Sequence, residues 1–275
     1  MISRRRFLGL SAGAATAAAL GEGFWREPNA VSVTRHDVPV PGLPAGLDGL
    51  RLACVSDVHL DGGVSPVARA VVAALAVERP DVVVLAGDIC NHREDLRHVI
   101  AWAPDARGTR ATVATLGNWE HDAGIDRATA ERAYHRAGVA LLYNSHLRVR
   151  IGNDVLTIVG IDDPVLGKPD VAAGVAGLAA GEPAVWVIHA PGFVDGIARG
   201  VYPAPIAVLA GHTHGGQIRL PGWAPYTPTG SGRFIAGWYR DTVAPLYVTR
   251  GIGTVGIPAR FCCPPELPIF TLKRL

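Results

Sequence analysis

The chain has 275 residues, about half of them apolar, and a formal net charge of +2. Without Arg4, Arg5 and Arg6 the balance becomes 23 basic against 24 acidic residues, which argues against the basic stripe of a polyanion-binding protein. The length suits one catalytic α/β domain with a large core, and four cysteines, two of them adjacent, do not make a disulfide framework.

Ser3-Arg4-Arg5-Arg6-Phe7-Leu8 matches the twin-arginine export pattern. The apolar stretch that follows, to Leu20, falls short of the roughly 20 residues a membrane span needs. It contains small-residue triplets suited to cleavage, Ala15-Thr16-Ala17 and Ala17-Ala18-Ala19. Residues 1–20 therefore predict a signal peptide read by the twin-arginine machinery. The expected destination is the periplasm, or the outer face of the cytoplasmic membrane or cell wall. Residues 21–45, with Pro28, Pro39, Pro41 and Pro44, predict an extended segment, and 46–275 the catalytic domain.

An apolar run over 52–56 leads into Asp57-Val58-His59. Ser65 caps a predicted helix that starts with Pro66 and ends before Pro80. The run 82–86 leads into Gly87-Asp88, and a helical pattern covers 94–102. Arg93, Arg97, Arg107 and Arg110 are interrupted by Glu94, Asp95 and Asp105, so they form no nucleic-acid groove. The run 111–116 leads into Gly117-Asn118, and Asp126 caps a helix through 136 that Gly138 stops. Segments 147–150 and 155–161 flank Gly152-Asn153-Asp154 as a hairpin. Asp162 and Asp163 then either steady the loop presenting Asn144 or form a turn.

A helix is expected over 170–179. The run 185–188 ends at His189, and 206–210 at Gly211-His212-Thr213-His214. Strands are expected over 217–220, 246–249 and 269–272. Between the first two of these, Pro221 to Ala244 is rich in Gly, Pro and aromatic residues. It reads either as a substrate wall over the His212/His214 loop or as an aromatic staple, with Arg233 or Arg240 available to an anion. Cys54 and Cys90, near strand ends, read as buried packing.

Short β-branched runs bounded by Gly, Asp and Asn read as buried strands. Their tips then gather Asp57, His59, Asp88, Asn118, His189, His212 and His214 at one rim, where open α/β folds place their sites. Two divalent ions about 3.5–4 Å apart can clamp the attacking and leaving oxygens of a displacement at phosphorus. Seven donors, with one Asp bridging, give four protein contacts per ion. Imidazole suits Zn, Fe or Mn, and oxygen donors the harder end of that range.

In this order Asp57-x-His59, Gly87-Asp88, Gly117-Asn118, His189 and Gly211-His212-Thr213-His214 resemble the calcineurin-like metallophosphoesterase superfamily. The tail from Val248 through Arg260 to Pro265-Glu266 resembles its exported YkuE/YaeI-like phosphodiesterase branch. The resemblance implies an α/β (α+β) fold, a two-layered β-sandwich flanked by helices. It implies a first ion on Asp57, His59, Asp88 and His214, and a second on Asp88, Asn118, His189 and His212. Two divalent ions (Mn, Zn or Fe) and a metal-bridging hydroxide that attacks phosphorus follow, with a phosphodiester as substrate.

Another reading is a pyrophosphohydrolase of a lipid-linked or nucleotide-sugar diphosphate, UDP-diacylglucosamine-like, touching a membrane surface. A third is a metal-binding partner protein without turnover. The chain departs from the family at Trp119, which stands where a histidine usually follows Gly-Asn. His121, two residues on, is then expected to contact phosphate and protonate the leaving group beside Asn118, or else to pack at the surface.

Overall fold

The structure, a computed structural model, describes residues 4–220 and 223–275. Ser3 of the export pattern, and Pro221 and Gly222 at the head of the aromatic segment, lie outside the described residues.

Two six-stranded sheets stack face to face. The first runs in the order β1 (Ser32–Val40), β12 (Glu266–Arg274), β2 (Arg51–Val55), β3 (Val82–Ala86), β4 (Ala111–Thr115) and β5 (Ala140–Leu141). The second runs β10 (Gly237–Tyr239), β11 (Leu246–Val248), β9 (Ala207–Ala210), β8 (Ala184–Ile188), β7 (Asp154–Ile161) and β6 (Ser145–Ile151). The central pairs β2–β3–β4 and β7–β8–β9 are parallel. Parallel strands covered on both faces must be apolar on both, which is why they read as continuous runs rather than alternating ones.

Strand alternation still sorts the side chains. Leu52, Cys54, Val82 and Val84 point into the inter-sheet core, against Ile158, Val185, Val187 and Leu209 of the second sheet. Their neighbours Ala53, Val55, Val83 and Leu85 point outward, against Val71 and Leu75 of α2 (Pro66–Glu78) and Trp102 of α3 (Leu96–Trp102). Tyr134 of α5 (Arg127–Arg136) completes that layer. The outer face of the second sheet carries Val159, Trp186, Ile188 and Val208, packed with Val171 and Phe234. This is the expected sandwich with flanking helices.

The capping logic holds where it was read. Ser65 Oγ accepts from the Ala68 amide at 3.2 Å with Pro66 in the first turn, and Asp126 Oδ1 accepts from the Thr129 amide at 2.9 Å. Two elements differ from expectation. The helix expected over 170–179 shrinks to α6 (Val171–Gly174). A Cβ on Gly174 would lie 2.6 Å from Ile161 Cδ1, so the chain is pressed onto β7 there and Gly177, at φ 78°, turns it away. Residues 217–220 form no strand: Gln217 sits at φ 51°, off the extended path, leaving only isolated bridges at Ile218 and Leu220.

At the N-terminal end, α1 (Arg4–Gly21) passes through short helical turns to Asn29 and into β1. β1 pairs in parallel with β12 over all nine residues, and Thr34 Oγ1 donates to Glu266 Oε1 at 2.8 Å. Of the expected extended segment 21–45, residues 32–40 with Pro39 form an edge strand of the first sheet, whereas 21–29 with Pro28 are helical. Among the described residues no helix is long and apolar enough to cross a membrane.

Leu209 lies in the inter-sheet core at 2% exposure. Leu209→Ala is expected to cost about 2–5 kcal/mol, read as a lower urea midpoint with an unchanged m-value. A loss below 1 kcal/mol would mean that the two sheets do not share a tight core at that point.

Candidate metal centre

The strand tips turn sharply. Asp57, His59, Asp88, His212 and His214 all have φ between 49° and 71°, a region uncommon for residues other than glycine. Holding a residue there costs of order 1–3 kcal/mol, and cross-tip hydrogen bonds offset that cost. The Asp57 amide donates to Gly87 O at 3.0 Å, the His59 amide to Asp88 O at 3.1 Å, and the Gly211 amide to His189 O at 3.0 Å. From the C-terminal side, the Ile252 and Gly253 amides donate to Ser56 O and Asp57 O. Two glycines are required by closeness. A Cβ on Gly117 would lie 2.2 Å from Asp88 Oδ1, and one on Gly211 would lie 1.9 Å from Ser56 Oγ.

The seven donors of the sequence pattern converge. In one buried group the ligand atoms of Asp57, His59 and His214 lie within 4.8 Å of one another, and in a second those of Asp88, His189 and His212 do so. Asp88 joins the groups, its Oδ2 lying 3.1 Å from His189 Nε2 and 3.9 Å from His59 Nε2. His59 and His214 face each other, Nε2 to Nε2, at 3.1 Å, and His214 Nε2 is 3.6 Å from Asp57 Oδ1. Asn118 Oδ1 meets His212 Nδ1 at 2.9 Å.

Each of three imidazoles is held by its far nitrogen. His59 Nδ1 meets Asn91 Oδ1 at 2.7 Å, His189 Nδ1 meets Ala86 O at 2.8 Å, and His212 Nε2 meets Thr229 O at 2.9 Å. Donation there leaves the lone pair of the near nitrogen aimed into the site, as metal-ligating histidines require. Asn91 and Thr229 carry no motif of their own, and the sequence reading missed them.

The charge balance fits cations. Asp57, Asp88, Glu120 and Asp163 are all buried, and among the described residues none pairs with Lys or Arg. Burial drives the Asp57 carboxyl above its ordinary range, helped by Asp88. Burial also opposes ionisation of Asp88, but His189, His59 and the Trp119 amide hold its carboxyl well below the usual value. Burial works against charge on His189 as well, yet the nearby Asp88 carboxylate raises it to about 10. Burial lowers His214 far below its normal range, and with the neighbouring His189 brings His212 to about 4.

Four buried carboxyl groups without an ion-paired lysine or arginine among the described residues suit a bound cation, since uncompensated buried charge is costly. His189 Nε2, though 3.1 Å from Asp88 Oδ2, lacks hydrogen-bonding alignment, and His214 Nδ1 is buried without a partner. Nitrogen and carboxylate donors converging in two buried groups suit divalent ions.

Glu120 also went unread. It lies in α4 (Asn118–Asp122), fully buried, and accepts from four amides. These are Asp88 at 3.0 Å, Ile89 at 2.6 Å, Cys90 at 3.2 Å and Gly117 at 2.8 Å. One carboxylate therefore ties the Asp88 loop to the Asn118 loop. The only signal was the spacing Gly117-x-x-Glu120, the reach-back half of a capping box.

His121 does not join the other seven. Its Nε2 is 2.8 Å from the buried Asp162 Oδ1, and it is not among the residues lining the cavity over the site. That hydrogen bond raises the His121 pKa against the opposing effect of burial. Asp162 is fixed in turn by the Lys168 amide, while Asn144 Oδ1 accepts from the Asp162 and Asp170 amides. The geometry thus ties His121 to the loop after β7, the packing side of its two readings.

A cavity of about 540 Å³ opens over Asp88, Asn118, His212 and His214, walled by Trp119, Ile218, Pro225, Tyr226, Pro228 and Ile257. Of the aromatic segment, Tyr226 lines this cavity, while Phe234 is buried against Tyr239 as the staple reading expects. Arg233 is bound by Asp195 and Asp241, and Arg240 lies over Trp238, so neither lines the cavity. Cys54 and Cys90 are buried free thiols whose pKa burial pushes up.

Residues 50–216 match the family model described as calcineurin-like phosphoesterase. The chain is 32% identical to the uncharacterized metallophosphoesterase YkuE of Bacillus subtilis, over 99% of this chain and 98% of that protein. It is 27% identical to phosphodiesterase YaeI of Escherichia coli, over 99% of this chain and all of that protein. It is 25% identical to the UDP-2,3-diacylglucosamine pyrophosphatase LpxG of Chlamydia trachomatis, over 88% and 89% of the two chains.

Glu120→Gln keeps the shape but replaces one acceptor oxygen with an amide that cannot accept. It should cost about 1–3 kcal/mol, the penalty for leaving buried amides unmade. It should also shrink the rise in Tm on adding Mn, because the Asp88 loop is no longer pinned. An unchanged Mn-induced rise would show that Glu120 merely packs.

Proposed function

The chain belongs to the calcineurin-like phosphoesterase family, and from that premise we propose that it is a dinuclear-metal phosphohydrolase cleaving phosphodiester-type bonds. The observation that carries this reading is the position of Asp88 between two complete buried donor groups. Asp57, His59, His214 and Asp88 would hold one divalent ion, and Asp88, Asn118, His189 and His212 the other. Ions so held supply Lewis acidity at phosphoryl oxygens and acidify water. A donor set with four imidazoles favours Mn, Zn or Fe over Mg or Ca.

The chain's own residues do the rest. The Glu120 carboxylate and the glycines at 117 and 211 fix the strand tips, so the donors need little rearrangement on loading. The cavity wall keeps bulk water from one side of the reacting phosphate and offers hydrocarbon to a substituent. That wall also supports a second reading, hydrolysis of a diphosphate carrying an apolar group, as the name of LpxG describes for that relative. The complete donor set speaks against a binding protein without turnover.

Asp88→Ala is expected to lose metal and activity together. Metal analysis of the purified variant should find fewer than two ions per chain, and turnover of bis(nitrophenyl) phosphate with added Mn should fall at least about 10³-fold. Two retained ions with near-normal turnover would remove Asp88 from the bridging role. In the wild type, a proton on His189 competes with a cation for Nε2 until the pH approaches about 10. Metal affinity should therefore rise with pH, by about tenfold per unit where one proton is displaced, which calorimetry in buffers of different ionisation enthalpy can count.

Export by the twin-arginine route is a further part of the proposal, supported by Ser3-Arg4-Arg5-Arg6-Phe7-Leu8 alone. Lysine keeps the charge but not the guanidinium fork. The full-length Arg4→Lys, Arg5→Lys chain should stay in the cytoplasm on fractionation. Normal amounts outside the cell membrane would mean that the motif was misread.

A further inference from the structure

Two loops that supply ligands to the paired centre run side by side and continue past it. Leu60, next to His59, bridges Cys90 in parallel, and the Asn91 amide donates to Leu60 O at 3.0 Å. That register brings Asp61 of one loop to His92 of the other, with Oδ1 and Nε2 3.9 Å apart. Asp95, in the short turn Arg93–Asp95 that leads into α3, approaches them from the buried side at 1% exposure. One ligand atom from each of Asp61, His92 and Asp95 lies within 4.8 Å of the other two.

An exposed His–Asp pair alone needs no ion. Asp95 is what such a pair leaves unexplained. Its Oδ1 accepts from the Gly62 amide at 2.9 Å, but its Oδ2 is buried with no hydrogen-bond partner. Among the described residues no Lys or Arg forms an ion pair with it. His98 Nε2, 3.8 Å from Oδ1, accepts from Arg97 Nε at 3.2 Å and so presents no proton. A buried carboxylate oxygen without a partner is costly, and a cation shared with Asp61 and His92 removes that cost. Asn91 keeps this group apart from the paired centre. Its Oδ1 accepts from His59 Nδ1 at 2.7 Å, and its Nδ2 donates to Asp61 Oδ2 at 3.4 Å. His59 Nε2 faces His214 and Asp88, so that imidazole is committed to the other side.

We propose that Asp61, His92 and Asp95 form a third divalent-cation site, separate from the paired centre, that takes Mn or Zn. Two carboxylates and one imidazole suit those ions, and three protein donors leave positions for water. Asp61 and His92 line a second cavity, of about 710 Å³, together with Asn91, His59 and Trp119. Their side chains are 62% and 55% exposed, so the ion exchanges with solvent and binds more weakly than the buried pair. None of the three donors is among the seven of the paired centre, and the site stands whether or not that centre hydrolyses phosphate esters.

Metal counting on the full chain tests it. Metal-stripped protein titrated with Mn should take up three ions, the third in a separate and weaker calorimetric phase, and metal analysis after equilibrium dialysis should agree. His92→Ala, a truncation at an exposed position, should weaken that phase at least about tenfold and leave the other two ions in place. Asp95→Asn should do the same. Asp105→Asn, an equal change of charge at an exposed carboxylate elsewhere, should leave all three. Asp88→Ala, which disrupts the paired centre, should keep the ion that depends on His92, so losses at the two sites are told apart. A wild type with no ion that depends on His92, or equal weakening in Asp105→Asn, would overturn the third site. A wild type whose sole ion depends on His92 would uphold it and overturn the paired centre instead.

Discussion

The arrangement of the site depends on negative charge buried without a fixed cation. Asp57, Asp88, Glu120 and Asp163 sit at the rim of the sandwich, each at 2% exposure or less, and among the described residues none forms an ion pair with arginine or lysine. Burial makes each such charge expensive, and only hydrogen bonds or cations offset it. The protein divides the task. Glu120 is satisfied by four backbone amides and needs no ion. Asp57 and Asp88 accept fewer and keep oxygens turned toward imidazole nitrogens. The left-handed turns at the strand tips, the glycines that admit close backbone approach, and the outer partners of the histidines all serve that division.

Much of this was legible in the sequence because parallel strands buried on both faces leave a strong signal and end abruptly in polar residues. The runs before Asp57, Asp88, Asn118, His189 and His212 could be placed for that reason, and the family resemblance carried by the order of their tips implied which side chains meet. The unread residues are those whose partners are backbone atoms or distant side chains. Glu120 binds amides 30 to 32 residues away, and Thr229 offers only a carbonyl. Neither kind of contact depends on a residue type that sequence can single out. His121 was plausible by proximity along the chain, but a helix turn from Asn118 carries it toward Asp162 instead.

Where local signals competed with packing, packing prevailed. The segment after Asp170 has helical composition, yet the close approach of Gly174 to β7 and the turn at Gly177 end the helix after one turn. Gln217 looked like the start of a strand. Its side chain instead bonds three times to residues 255 and 257, and its backbone turns to allow it. The two loops that wall the cavity are thereby fastened together, so the shape of the opening is a property of the folded core rather than of either loop alone.

The pairing of β1 with β12 bears on the order in which the molecule can assemble. The bond from Thr34 to Glu266 spans 232 residues, and β12 also lies against β2, whose tip carries Asp57. The hydrogen bonds that set the Asp57 turn come partly from Ile252 and Gly253, just before that last strand. On a ribosome, the first sheet has no neighbour for β2 on one side until residues 266–274 have emerged. Contacts of such long sequence separation are late and slow to form. A nascent chain therefore presents an open sheet edge and an unfinished donor group until β12 arrives, and closes both in the same event.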